Sequence, residues 1–407
     1  MSFLKQLTAH TFYQVIAQIA SSGSSFLIAI LVARLFGVGA YGDFAKVTAF
    51  VSLFYLLVDF GLNAMFLQKE EAHLRFRDLF YTRIILSFIL VFLVNAIAFI
   101  LPYSHQTQIG FSNFVKLGIL IFSLTIITEG IIYSAFAVFQ RRVIYQRFMT
   151  ATIIGSLSIV FFVSLFGLSH LSLVYVFAGF VLGSIIEAGF SLFYTEEKLF
   201  PIVFHPSFIK SLAKETLPVT IMLISNLIYF RIDMLLLSAL RPSHDVALYD
   251  VSYKVFDFLI ALPLFLSNVL YPRLIAEAKN TQTVSRKHAY YVCLFVGLGI
   301  LTTIIMWFVS PLIFSLISPA FSSAIVPMRL LLLSLPVFFA TSIMQWILLT
   351  KKKQKTLAVI YAVFVVINIL ANAIYIPHYG YVASAIITGV CETAIGLLMM
   401  LYLFFKL

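Results

Sequence analysis

Apolar runs close to twenty residues long recur from one end of this 407-residue chain to the other. Each is long enough to cross a hydrocarbon core about 30 Å thick as an α-helix. Composition agrees: 62% of residues are hydrophobic and only 11% charged, where a soluble domain carries about 25%. The chain reads as an all-α, polytopic membrane protein. Its opening residues, "MSFLKQLTAHTFYQ", lead into the first run with no small-residue cleavage site, so that span reads as an uncleaved anchor. Cys293 and Cys391 both fall inside predicted spans and provide neither a disulfide framework nor metal-ligand spacing.

About twelve transmembrane helices are predicted, over 10–35, 40–67, 80–101, 112–139, 148–167, 171–194, 216–240, 248–272, 288–310, 325–349, 356–376 and 380–405. Orientation follows from Lys and Arg, which cytoplasmic loops retain. They gather in alternate connections: Lys5; Lys69, Arg75, Arg77 and Arg83; Arg141, Arg142 and Arg147; Lys198, Lys210 and Lys214; Arg273, Lys279, Arg286 and Lys287; "TKKKQK" at 350–355; and Lys406. The intervening connections around 102–111, 167–171, 310–324 and 376–381 have none, so both termini are expected in the cytoplasm. This topology accounts for the formal charge of +11 without a nucleic-acid partner. The segment 196–215, with Pro201 and Pro206, reads as a cytoplasmic linker between an N-terminal six-helix lobe (1–195) and a C-terminal one (216–407), and could carry a short helix along the inner surface.

The two lobes look related. "AYGDFAKV" opens the second span and "LYDVSYKV" the eighth, so that Tyr41, Lys46 and Val47 recur as Tyr249, Lys254 and Val255 at a constant offset of 208. Arg34 and Arg241 close the first and seventh spans, Lys116 and Arg329 sit at comparable depth in the fourth and tenth, and Glu187 has Glu392 as its counterpart. Six spans per half give a parallel repeat about an axis along the membrane normal, and the cleft between such repeats is where transporters place substrate.

Seven cations stand apart from the cytoplasmic loops: Arg34, Lys46, Lys116, Arg231, Arg241, Lys254 and Arg329. All fall in the outer half of the membrane or at its edge. Arg34 and Arg241 suit snorkelling to headgroups, and Lys46 and Lys254 have Asp43 and Asp250 nearby for local pairing. Arg231, in "LIYFRIDMLLLSAL", lies about 22 Å up a helix begun at Thr216, with apolar residues beyond it. Asp233 is two positions on and faces another way, so at least one of the two needs a partner on another helix or a wet cavity. Arg231 is therefore the first candidate to line a central cleft and hold an anion. Acids within spans, Glu129, Glu392, Glu187, Asp59 and Asp233, are candidates to carry a coupling ion, H⁺ or Na⁺, with structural hydrogen bonding as the competing role. No catalytic spacing, phosphate-cradling glycine loop or resident cofactor or metal motif is present in the sequence. Gly23, in "SSGSS", and the in-span Pro263 and Pro336 mark places where helices bend.

"ARLFGVGAYGDFAKV" and "LLVDFGLNAMFLQ" resemble the start of bacterial polysaccharide repeat-unit flippases, of O-antigen and capsule type, and "YFRIDMLLLSAL" and "ALYDVSYKVFDFLIALPLFLSNVLYPRL" resemble their second half. These belong to the multidrug/oligosaccharidyl-lipid/polysaccharide exporter superfamily, with the MATE drug exporters and lipid II flippases. The resemblance covers essentially the whole chain through loose patterns. It implies two six-helix lobes around a lumen. It also implies transport of an undecaprenyl-diphosphate-linked oligosaccharide to the outer face of the plasma membrane, alongside polymerase and chain-length machinery. The cations favour that branch on their own account, since a diphosphate suits Arg and Lys. The alternatives are a MATE-like cation-coupled drug antiporter and, lower, a membrane enzyme acting on lipid-linked glycans, for which the outer loops are short.

Overall fold

The computed structural model describes residues 3–68, 76–169, 171–200, 231–280 and 286–406. The linker beyond residue 200, the predicted seventh span up to residue 230, and the loop cations Lys69, Arg75, Lys210 and Lys214 lie outside the described residues. The protein is all-α and polytopic. Among the described residues, nine helical segments are long and apolar enough to cross a membrane. The chain forms two compact units, Met1–Leu227 and Ile228–Leu407.

The first unit opens with α1 (Phe3–Asp59), which covers the first two predicted spans in one element of 57 residues. At 1.5 Å per residue it would be about 85 Å long if straight, nearly three hydrocarbon thicknesses. It is not straight: Gly37 sits at φ 80°, ψ 177°, and breaks it into two arms. Only a residue without a Cβ takes that backbone readily. The expected bend at Gly23 is not where α1 breaks. A second interruption, with Phe60 at φ 44° and Gly61 at φ 68°, separates α1 from α2 (Leu62–Gln68) inside the span predicted over 40–67.

α3 (Phe76–Ile100) starts a turn earlier than expected and draws Arg83 into its interior, fully buried. Arg83 is therefore not a loop cation. A two-residue hairpin, β1 (Tyr103–Ser104) with β2 (Ile109–Gly110), follows. Gly110, at φ 96°, leaves no room for a Cβ against the Pro102 carbonyl. The fourth predicted span is two helices, α4 (Asn113–Phe122) and α5 (Thr125–Arg142), meeting at Ser123 and Leu124. Ser112 caps α4 by accepting from the Val115 amide. α6 (Tyr145–Leu168) and α7 (Leu173–Thr195) complete the unit. They approach closely because Gly183 lies on the Ile159 backbone and Gly155 lies under Glu187, the small-residue contact that membrane helices use in place of a hydrophobic driving force. Phe44 and Phe177 stack 5.8 Å apart within this core.

In the second unit, the helical residues 231–240 (α8) lead into α9 (Ser243–Asn280) and α10 (Arg286–Ile317). A 3-10 turn (Pro319–Ala324) then opens α11 (Ile325–Thr350), followed by α12 (Gln354–Tyr379) and α13 (Tyr381–Lys406). α11 is the buried helix of this unit, packing on α9, α10 and α13, and Pro336 lies within it. α10 and α12 leave most of their apolar surface uncovered, as lipid-facing helices do.

Candidate functional site

The seventh-span arginine finds its partner on α9. Asp250, Lys254 and Asp257 are spaced four and three apart there, which places them on one face of the helix. Arg231 Nη2 donates to Asp257 Oδ2 at 3.0 Å, and the guanidinium lies 5.5 Å from the ring centre of Tyr253. Lys254 Nζ donates to Asp250 Oδ2 at 2.6 Å. Two cations and two carboxylates thus form a charge-balanced patch, and its Arg231 side chain remains 41% exposed. An arginine has five N–H donors. Among the described residues Arg231 uses one of them, on Asp257. A further oxyanion could bind the free donors bidentately.

Asp233 faces the other way and is buried. The Tyr249 hydroxyl donates to its Oδ2, the Met234 amide to Oδ1 at 2.7 Å, and Thr388 to Oδ2 at 3.4 Å. It therefore joins α8, α9 and α13. Glu392 is likewise buried and accepts from Thr341 of α11. Arg241 bonds Asp245 at 2.6 Å and the Pro377 carbonyl at 3.2 Å, fastening the end of α8 to α12. Arg329 lies with its guanidinium 4.8 Å from the ring centre of Trp307.

In the first unit the candidates are dispersed. Lys46 is fully buried and donates to the Gly110 carbonyl at 2.8 Å, which ties α1 to the hairpin. Lys116 donates to the Phe99 carbonyl at 3.0 Å, and Arg34 is exposed. Asp59 accepts from Arg83 at 2.9 Å. That arginine also donates to the Val58 carbonyl (3.2 Å), Ser134 (3.1 Å) and Asn63 (2.9 Å), closing the end of α1. Glu129 on α5 and Glu187 on α7 make no hydrogen bond or ion pair among the described residues. Around them, Thr128 donates to Ser184 at 3.1 Å, and Tyr55 pairs with Thr125 at 2.6 Å. No cluster of three metal-ligating side chains occurs among the described residues.

At the ends of α5 and α7, Arg142 pairs with Glu197, and Arg147 with Glu196 at 2.8 Å. The hydrogen bond and charge of Arg147 hold the Glu196 carboxyl below the usual glutamate range. Sequence reasoning missed three residues at these sites: Asp257, Tyr253 and the buried role of Arg83. The Asp250–Lys254–Asp257 spacing was the available signal for the first.

Comparison with known proteins places this geometry. Residues 7–276 match the family model described as polysaccharide biosynthesis protein, and residues 218–374 match the MatE model. No curated protein matches by sequence. A solved lipid II flippase MurJ, in an inward closed conformation, superposes with a TM-score of 0.76 at 17% identity, covering 96% of this chain and 87% of its own. An inward-facing multidrug resistance MATE transporter of the MOP superfamily gives 0.67 at 14% identity, covering 97% and 94%. A MOP superfamily transporter from Pyrococcus furiosus gives 0.64 at 12% identity, covering 98% and 94%.

Proposed function

Since the chain belongs to the polysaccharide biosynthesis protein family and has the fold of MOP superfamily transporters, we propose that it is a flippase. Its cargo is a diphosphate-linked oligosaccharide on a polyprenyl lipid, of the undecaprenyl type used for O-antigen or capsule repeat units. It moves this cargo from the cytoplasmic to the outer face of a bacterial plasma membrane by alternating access. The work is transport, not catalysis.

The observation that carries this reading is Arg231: a guanidinium in the predicted seventh span, 41% exposed, with one donor engaged. A diphosphate bound to its free donors would share Arg231 with Asp257. When the lipid leaves, the ion pair closes again, so the charge is never left bare in a low-dielectric setting. A partner that competes in this way keeps binding moderate, as a carrier requires. Lys254, held by Asp250, adds a second donor on the same face of α9.

A second reading, a MATE-like antiporter of organic cations, is favoured by the MatE match over residues 218–374 and by the two carboxylates of the patch. In either case H⁺ or Na⁺ coupling would use the acids within spans. Deleting the gene separates the readings. The flippase reading expects lipid-linked repeat units to accumulate on the cytoplasmic leaflet while their synthesis continues. Unchanged surface polymer together with heightened drug sensitivity would replace it with the antiporter. Topology has its own test: cysteines placed at Ser104 and His378 should react with impermeant thiol reagents from outside, and those at Arg142 and Lys352 should not.

A further inference from the structure

α10 and α11 run antiparallel through a strip where Thr303 donates to the Leu332 carbonyl at 3.0 Å. One turn further along α10, Trp307 lies against the Arg329 guanidinium, 4.8 Å from ring centre to Cζ. The flanks of this strip, Ile304, Phe308, Val326 and Leu333, are all exposed, Phe308 to 76%. They belong to helices long and apolar enough to cross a membrane, whose uncovered apolar surface suits acyl chains. Arg329 Nε is buried without an acceptor, and no hydrogen bond or ion pair reaches the guanidinium from any described residue. A cation so placed is costly unless an anion supplies the missing bonds. Arg329 is four residues into α11, just past the 3-10 turn, so it stands about 6 Å from the start of the helix, toward the boundary of the span predicted over 325–349. Tryptophan beside arginine suits that boundary, where one side is apolar and the other wet.

We propose that Arg329 and Trp307 form a binding site for the phosphate of a membrane phospholipid. Arg329 grips the phosphate by its fork of donors, and the acyl chains run along Leu301, Ile304 and Leu333. The site preferentially takes anionic lipid, because the charge of Arg329 is not offset by a carboxylate there. It is separate from the Arg231 patch and stands whether or not the transport reading holds.

The chain has two tryptophans, so Trp346→Phe leaves Trp307 as the sole reporter. The full chain is reconstituted in vesicles of phosphatidylcholine mixed with phosphatidylglycerol brominated in its acyl chains, and in the converse mixture. Quenching should show phosphatidylglycerol preferred about fivefold at Trp307, the effect of one basic residue at an anionic surface. Arg329→Lys should keep most of that preference and Arg329→Gln should bring it to unity. Equal quenching by the two lipids in the Trp346→Phe protein, which needs no change at Arg329, overturns the proposal. So does a preference that survives Arg329→Gln. Displacement of the brominated lipid by a stoichiometric short-chain polyprenyl diphosphate would instead assign Arg329 to the cargo.

Discussion

Arg83 and Arg231 are both arginines in spans predicted from sequence or at their edge, and their surroundings differ in kind. Arg83, in the first unit, is fully buried and directs four hydrogen bonds to Val58, Ser134, Asp59 and Asn63. Arg231, in the second, is 41% exposed, with one hydrogen bond to Asp257 and the face of Tyr253 beside it. A nearly saturated guanidinium, with four of its five donors engaged, holds helices in place. One with free donors and an exposed edge is equipped to bind something that arrives and leaves. Depth in the membrane is common to both, so depth alone does not identify a binding residue.

The largest expected effect tests the saturated side. Arg83→Ala leaves the half-buried Asp59 and the Val58 carbonyl without their donor, at a cost of about 3 kcal/mol. The protein should be largely lost from the membrane, as read by the amount of inserted, detergent-stable chain. Arg231→Ala should show the opposite pattern, with near-normal insertion and abolished export per inserted molecule. Arg231→Lys, which exchanges a bidentate grip for a point charge, should transport about tenfold less well for one charge-assisted bond lost. If Arg231→Ala exports normally per molecule, or Arg83→Ala inserts normally, the contrast fails.

The same logic separates the acids. Glu392 and Asp233 already accept hydrogen bonds from Thr341 and from Tyr249, Met234 and Thr388, whereas Glu129 and Glu187 lack such partners among the described residues. If a proton drives export, Glu129→Gln and Glu187→Gln should therefore impair it with the protein retained, and more than Glu392→Gln does. Normal transport by both single changes and the double would move coupling to Asp59 or to the acids of the second unit.

A milder contrast lies in the repeated lysines. Lys46→Ala removes a buried donor from Gly110 and should lower inserted protein, while Lys254→Ala should lower export several-fold with insertion intact. The smallest effect belongs to Glu196. Its carboxyl is lowered by Arg147, so its contribution exists above the ordinary glutamate range and fades as pH falls through the lowered value. Glu196→Gln should reduce melting temperature slightly at neutral pH and not at all in strong acid.

Among the described residues hydropathy placed most of the spans, because their length is imposed by the bilayer. It could not register the breaks at Phe60–Gly61 or Ser123–Leu124, since a helix that stops and restarts is no less apolar. Arg83 was misplaced for a related reason: a cation near a span end reads as cytoplasmic, and only its bonds to Asp59 and Asn63 show that it turns inward. Arg231 was legible because no end of the helix is close enough to excuse it. Its partner Asp257 was less so, since an acid on α9 looks like one more residue of a polar stripe until the two helices are set side by side.

Gly37 also bears on how the chain is made. The two arms of α1 are joined by a single non-helical residue, with no hydrophilic stretch between them to mark where one crossing ends. With so short a joint, both arms are expected to enter the bilayer together. An epitope or protease site placed there would not decorate a loop. It would separate two segments that enter the bilayer as one.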